Sequence, residues 1–163
     1  MHFGSRLVLA FGLIAGLSMQ ALSAEYLEGN ERQKSRAFPP AVITEGGRIV
    51  WLAGQTALQD AHGHNLARNF DGQAREIFRQ MDLTLKRAGG SIANVVTMTV
   101  FINDPRHGGR FTEILREVFP YGNYPSSTLI TVSNFAVPGM LIEIQGIAVI
   151  GDTCSKVNPC SPR

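Results

Sequence analysis

The segment GMLIEIQGIAVIG, residues 139–151, constrains the fold most, because its composition predicts a long strand with two dissimilar faces. Side chains alternate across a strand. One face is therefore aliphatic, with Met140, Ile142, Ile144, Gly146, Ala148 and Ile150. The other face adds an acid and an amide, with Leu141, Glu143, Gln145, Ile147 and Val149. The first face suits a cover of amphipathic helices, and the second is typical of a partly polar surface buried between subunits.

The clearest amphipathic helix is predicted in FDGQAREIFRQMDLTLKRAGG, residues 70–90. Apolar side chains recur there at spacings of three and four, so that one side of the helix is apolar. Either Asn69 or Asp71 is expected to cap its start, and Gly89 is placed to end it. This helix supplies part of the cover that the last strand requires.

The remaining elements are predicted from β-rich runs and turn residues. Residues 41–44 and 48–54 are expected to form a hairpin around the turn EGG. A second helix is expected to start with Asp104 as its cap and Pro105 at its first position, and to end at Pro120. The order is then strand, strand, helix, strand, helix, strand, strand, which favours a single domain with sheets packed in an oligomer.

Residues 1–24 have the layout of a secretory signal peptide. Arg6 precedes an apolar run over residues 7–17, and small residues ending at Ala24 precede the charged Glu25. The run is short for a bilayer span, and a retained signal anchor is the alternative. We therefore expect a periplasmic or secreted protein that has no membrane attachment once the signal is cleaved.

The flanks of the domain are polar. Residues 25–37 are predicted to be irregular, and residues 152–163 form a tail that contains Cys154 and Cys160. An oxidising compartment permits a disulfide between these cysteines, with the alternative that no bond forms. The composition indicates no metal site, because further ligands are lacking near the cysteines.

The net charge of +2 is not concentrated in a basic cluster, so nucleic acid is not an expected partner.

Several segments, taken in chain order, together resemble those of a known protein family. AVITEGGRIVWLAGQTA, LKRAGG, IANVVTMTVFIND, a Pro-led strand and IEIQGIAVI resemble the RidA/YjgF-type Rid family of enamine/imine deaminases, also called the endoribonuclease L-PSP family. The resemblance spans most of a domain at residues 38–151. It implies a chorismate-mutase-like α+β fold, a mixed β-sheet with two helices on one face. It also implies a homotrimeric barrel with small-molecule clefts between subunits and no cofactor.

The resemblance assigns two chemical positions. The family's deaminases carry an Arg two residues after the Pro of the Pro-led strand, and it binds the substrate carboxylate through a bidentate pair. Counting from Pro125, Ser127 occupies that position. Glu143 matches the family acid that positions the attacking water. As alternatives, Ser127 fills space in a vestigial cleft, and Glu143 pairs with Gln145 at an interface.

Three further residues are expected to line the cleft. Phe38 matches a family Tyr without its hydroxyl, and Gly54 matches the glycine of the family sequence SGQ, whose backbone lines the cleft. Tyr124, beside Pro125, is the third. For Phe38 the alternative is simple packing, and for Tyr124 it is a role in shaping the turn.

The sequence therefore predicts an exported RidA-like protein with a small-ligand cleft and without efficient 2-imino acid deamination. Each charge-assisted hydrogen bond lost with the Arg contributes roughly 1.5–3 kcal/mol, and a Ser hydroxyl recovers one neutral bond. The alternatives are an active enamine/imine deaminase, a hydrolase that uses another cation such as Arg106 or Arg110, or else a binding module without turnover. The family's ribonuclease label gains no support, because basic and aromatic residues do not interleave.

Overall fold

The structure, a computed structural model, describes residues 24–154. Its elements in chain order are β1 (Glu25–Tyr26), α1 (Glu31–Ser35), β2 (Val42–Ile43), β3 (Arg48–Gln55), α2 (Phe70–Arg87), a 3₁₀ turn (Ile92–Asn94), β4 (Val95–Ile102), α3 (His107–Val118), β5 (Ser126–Thr131) and β6 (Ile142–Ile150). The main sheet has the strand order β3-β6-β4-β5, in which only the pair β4–β5 is parallel. The predicted α+β fold with a mixed sheet and two covering helices is confirmed.

Helix α2 forms where its periodicity predicted it. Asn69 is the N-cap, and its side-chain oxygen accepts a hydrogen bond from the Gly72 amide at 3.0 Å. The apolar side is buried, with Ile77, Met81 and Leu85 all at 0% exposure. Gly89, with φ of 84°, follows the end of the helix as predicted.

The two faces of β6 differ as expected. Ile142 and Ile144 are fully buried under the helices. On the opposite face, the neighbouring strand β3 leaves Trp51 74% exposed and Ile49 55% exposed. A single chain therefore presents large apolar side chains to solvent on the face that has no helix cover.

Two predictions for the N-terminal part are wrong. Residues 25–37 are not irregular, because they contain β1 and the five-residue helix α1. Asn30 and Gln33 form a capping box that starts α1. The predicted hairpin is also absent from the described pairings: β2 pairs with β1 in a separate two-stranded sheet, and β3 pairs with β6. Positive φ at Gly46 and Gly47 turns the chain out of the first sheet and into the second.

The start of the second helix also differs from the prediction. Helix α3 begins at His107, and Pro105 and Arg106 lie in the preceding turn. The Asp104 carboxylate accepts hydrogen bonds from the backbone amide and from the guanidinium of Arg106, which holds this turn before the helix. The helix ends at Val118, close to the predicted stop at Pro120.

The beginning of the predicted tail packs on the fold. The Thr153 amide donates to the Glu45 carbonyl at 3.0 Å, and Asp152 is buried. Cys154 is 1% exposed, while its predicted partner Cys160 lies outside the described residues. The disulfide therefore stays a prediction. The predicted signal segment, apart from Ala24, also lies outside the described residues.

Candidate functional site

Phe38 is placed by a tight turn at the end of α1. The Phe38 amide donates to the Gln33 carbonyl and the Ala37 amide to the Lys34 carbonyl, both at 3.2 Å. This pair of bonds is a Schellman motif, which normally has glycine at the position of Ala37. Ala37 instead has φ of 56° and is fully buried. The turn thus holds Ala37 in the core, and Arg36 and Phe38 are its neighbours in the chain on either side.

Ser127 lies in a cavity of about 340 Å³ between α1, α3 and β5, which we call the Ser127 cavity. Its lining residues are Arg32, Arg36, Phe38, Phe111, Thr112, Leu115, Ser127, Thr128 and Leu129. In the sheet, Ser127 is paired with Met98, which is 2% exposed beneath the helices. Ser127 therefore points to the helix-covered side of the sheet.

Tyr124 lies in a neighbouring cavity of about 350 Å³, the Tyr124 cavity, whose lining also includes Phe38, Tyr26 and Lys34. Phe38 thus borders both cavities. The structure brings together three of the predicted site residues, Phe38, Tyr124 and Ser127, on one side of the chain. Burial, followed by the negative charge of Asp152, raises the pKa of Tyr26 to about 12.

Glu143 and Gly54 form a second group. A Cβ added at Gly54 would overlap Oε1 of Glu143 and lie 3.1 Å from its Cδ, so the carboxylate rests against the Gly54 backbone. The pairing of β3 with β6 shifts register between Leu52 and Gln55, around Gly54. Bulges of this kind often redirect side chains at sites. Glu143 is half-buried and therefore remains partly accessible to water.

The two groups lie on opposite faces of the sheet within one chain. Gly146 and Ser127 both pair with Met98 and share the helix-covered face, whereas Glu143 pairs with Phe101, three residues further along β4. An odd offset reverses the direction of a side chain in a strand. Ser127 and Glu143 therefore do not meet inside a single chain.

The two arginines proposed from sequence as substitute cations are already engaged. Arg106 binds the carboxylate of Asp104 at 2.5 Å, and hydrogen bonding from Arg106 lowers the pKa of Asp104 to about 2. Arg110 binds Asp71 at 2.5 Å and Glu113 at 2.6 Å. Both guanidiniums serve ion pairs around α3, which counts against a role in holding a ligand.

Arg32 and Arg36 are the site residues that sequence reasoning missed. They belong to a segment that was predicted to be irregular, so no position was assigned to their side chains. The signal that would have found α1 is the spacing from Asn30 to Gln33, which is typical of a capping box. It would still not have shown that α1 packs beside β5.

Within residues 24–154, no three or more His, Cys, Asp or Glu side chains are grouped so that they could hold a metal ion. Over that same range, no helix combines the length and the apolar character needed to cross a bilayer.

Comparison with known proteins gives consistent results. The profile of the family described as endoribonuclease L-PSP matches residues 31–150. The chain is 31% identical over 116 residues to a rat 2-iminobutanoate/2-iminopropanoate deaminase, covering 71% of this chain and 81% of the relative. Identity to the human protein of that name is 29% over 115 residues, with coverage of 70% and 80%.

Among solved structures, the Rid-family protein YyfB from Yersinia pestis superposes with a TM-score of 0.69 at 21% identity. The match covers 78% of this chain and 99% of that protein, whose structure is described as that of a protein of unknown function. At this identity the similarity concerns the fold.

Proposed function

Since this chain belongs to the endoribonuclease L-PSP family, also called the Rid family, we propose that it assembles as a trimer with a small-molecule cleft between subunits. The apolar face without helix cover supports the assembly, because Trp51 is 74% exposed there. On the same face, the edge strand β5 adds Ile130, which is 40% exposed. Light scattering should give three copies per particle, and Trp51→Glu should yield monomers. A stable wild-type monomer would contradict the assembly.

Each cleft combines two surfaces that one chain keeps apart. One subunit contributes Glu143 and Gly54, and its neighbour contributes Ser127. The observation that supports this arrangement is the position of Ser127 and Glu143 on opposite faces of the same sheet. Ser127 and Glu143 can therefore act on one ligand only if one subunit supplies Ser127 and its neighbour supplies Glu143.

The chemistry of the cleft is limited by the residue at position 127. Hydrolysis of an imine requires water to attack the C=N carbon, after which the carbinolamine releases ammonia and leaves the carbonyl product. Glu143 suits the positioning of that water, since its half-buried carboxylate accepts hydrogen bonds beside Gly54. Ser127 offers one neutral hydrogen bond to a substrate carboxylate where an arginine would offer two charged ones. We therefore propose weak activity on 2-iminopropanoate and 2-iminobutanoate.

The test is release of free imine from an amino-acid oxidase, trapped with semicarbazide, with and without each protein. Wild type should accelerate hydrolysis little, and Ser127→Arg should raise the rate by about a hundredfold, the effect of roughly 3 kcal/mol of recovered binding. Glu143→Gln added to Ser127→Arg should remove the gain. Strong hydrolysis by the wild type would overturn the proposal that Ser127 limits the reaction.

A binding module without turnover is the second candidate, and the half-preserved site favours it: Glu143 is retained but Ser127 carries no charge. In that case, ligands would raise the melting temperature of the protein while no variant hydrolysed any imine. Activity of Ser127→Arg that depends on Glu143 would exclude it.

We also propose that the protein is exported to the periplasm or secreted after cleavage behind Ala24. Support comes from the position of β1, which starts at Glu25, so that cleavage would leave the first strand intact. Intact-mass measurement of the protein from its native host should give a chain that begins at Glu25. A full-length cytoplasmic species would contradict export.

A further inference from the structure

Asp152, just after β6, has a buried carboxylate oxygen that is unpaired within residues 24–154. The residue is 7% exposed. Its Oδ1 accepts two backbone hydrogen bonds, from the Glu45 amide at 3.2 Å and from the Cys154 amide at 2.8 Å. Its Oδ2 accepts none from that part of the chain. Burial of a carboxylate oxygen without a donor is costly, so Oδ2 indicates a site for a further donor, preferably a charged one.

The nitrogen that begins β1 lies close to this carboxylate. Glu25 is opposite Ile43 in the antiparallel pair of β1 with β2. The Leu27 amide donates to the Ala41 carbonyl at 3.1 Å, and hydrogen-bonded pairs recur at every second residue, so the Glu25 nitrogen faces β2. Glu45, whose amide binds the carboxylate, is two residues beyond Ile43, a Cα separation of at most about 7 Å. The Glu25 nitrogen and the carboxylate therefore face adjoining residues of one short segment.

The neighbours of Glu25 in the chain agree with this placement. Burial, followed by the negative charge of Asp152, raises the pKa of Tyr26 to about 12, so the carboxylate acts on the side chain next to Glu25. Ala24 is 8% exposed, so the start of β1 lies against the fold. None of the ion pairs formed within residues 24–154 includes Asp152. The backbone nitrogen of β1 is thus a nearby group that could carry the required positive charge.

We propose that Asp152 binds the α-ammonium group of Glu25, which is created when residues 1–24 are removed. Hydrolysis by a signal peptidase adds water across the peptide bond between Ala24 and Glu25, which leaves a carboxylate on Ala24 and an ammonium group on Glu25. Before cleavage, the same nitrogen is an amide whose single proton faces β2. The ammonium group has three protons, so it can keep its bond to β2 and donate a charged hydrogen bond to Oδ2.

This ion pair joins the two ends of the mature domain. The Thr153 amide and hydroxyl already donate to the Glu45 carbonyl, at 3.0 Å and 2.8 Å, and so hold the end of the domain beside β2. The ion pair adds β1, whose Tyr26 and Leu27 line the Tyr124 cavity. The mature chain is then more stable than its precursor, because the precursor buries Oδ2 without a donor. The inference rests on the proposed cleavage behind Ala24 and does not depend on the proposed reaction.

The first test measures the reactivity of the α-amine in a chain released from a fusion so that it begins at Glu25. Cyanate carbamylates the unprotonated amine, and an ion-paired ammonium group seldom loses its proton. Carbamylation of Glu25, followed by peptide mass, should be about tenfold or more slower in this chain than in its Asp152→Asn variant, the effect of one charged hydrogen bond. Asp104→Asn, which removes a carboxylate paired with Arg106, is the matched control and should leave the rate unchanged. Tyr26→Phe should also leave it unchanged.

The second test removes the charge of the nitrogen and keeps the carboxylate. In a Glu25→Gln chain, the N-terminal glutamine is cyclised to pyroglutamate before refolding, so that its nitrogen becomes a neutral amide. Cyclisation should raise the equilibrium constant for unfolding by about tenfold or more relative to the uncyclised chain. With Asp152→Asn added, cyclisation should change the constant little. Circular dichroism confirms that all four proteins are folded.

Two results would overturn the inference. One is an equal rate of carbamylation in the folded chain with Asp152 and in its Asp152→Asn variant. The other is equal stability of the cyclised and uncyclised chains that retain Asp152, which would assign Oδ2 to the Tyr26 hydroxyl or to water. Cleavage is decided separately by the intact mass of the protein from its native host. If that protein kept residues 1–24 while the chain that begins at Glu25 formed the pair, the result would refute the cleavage and support the Asp152 site.

Discussion

The two halves of the candidate site differ in where they lie in the sheet. The Gly54–Glu143 half is built on β3 and β6, which pair along most of their length, and β6 is also paired on its other side with β4. The half around Ser127 is built on the edge strand β5 and on the short helix α1. The first half retains the acid and the glycine that the family resemblance predicts, and the second has Ser and Phe where that resemblance expects Arg and Tyr. Under the proposed function, the half built on the paired strands β3 and β6 supplies the acid of the reaction, while the half built on β5 and α1 determines which ligand is recognised.

The largest effect should come from a methyl group added at Gly54, in the half of the site built on β3 and β6. Gly54→Ala would force the Glu143 carboxylate to move, because the added Cβ overlaps Oε1. In the Ser127→Arg background, where hydrolysis is expected to be measurable, the rate should fall by about a hundredfold or more, since small displacements of a positioning group are costly. Full activity of a folded Gly54→Ala protein would show that Glu143 is not held by this contact.

A smaller effect should follow from weakening the attachment of α1 in the half of the site built on β5 and α1. Arg116→Ala removes the hydrogen bond to the Ser35 carbonyl and should free the end of α1 from α3. Amide exchange in α1 should become faster by an amount equivalent to about 1 kcal/mol, with β6 unaffected. Arg75→Ala, which removes the surface pair with Glu117, is the control and should leave exchange in α1 unchanged. Equal effects of both variants would mean that α1 is not attached through Arg116.

A further effect concerns pH and the N-terminal strand. Burial, followed by the negative charge of Asp152, raises the pKa of Tyr26 in the folded state from its ordinary 10.0 to about 12. The folded state therefore holds the phenolic proton more tightly, and its contribution to stability is present below pH 10 and lost as pH rises towards 12. The free energy of unfolding should fall by about 1–2 kcal/mol more in wild type than in Tyr26→Phe over this window. Parallel curves for the two proteins would contradict the burial of a protonated Tyr26.

The contrast between the two halves also explains which parts of the fold and of the candidate site could be predicted from the sequence. Helix α2 and the two faces of β6 follow from periodicity, which is local, and so they were predicted correctly. Of the two residues expected to cap α2, the structure uses Asn69 and not Asp71. The pairing of β2 with β1 was missed because two-residue strands carry almost no pattern of their own. The approach of Arg36 to β5 joins residues about ninety positions apart in sequence, and only the tertiary fold brings them together.

Mixed trimers test the central claim, that each cleft takes Glu143 from one subunit and position 127 from its neighbour. Chains with both Ser127→Arg and Glu143→Gln carry the cation without the acid, and wild-type chains carry the acid without the cation. After the two proteins are refolded together, we predict hydrolysis of 2-iminobutanoate well above the sum of the separate proteins. Ser127→Arg homotrimers serve as the positive control. A mixture no more active than its parts, beside an active Ser127→Arg control, would place both groups in one chain and contradict the account.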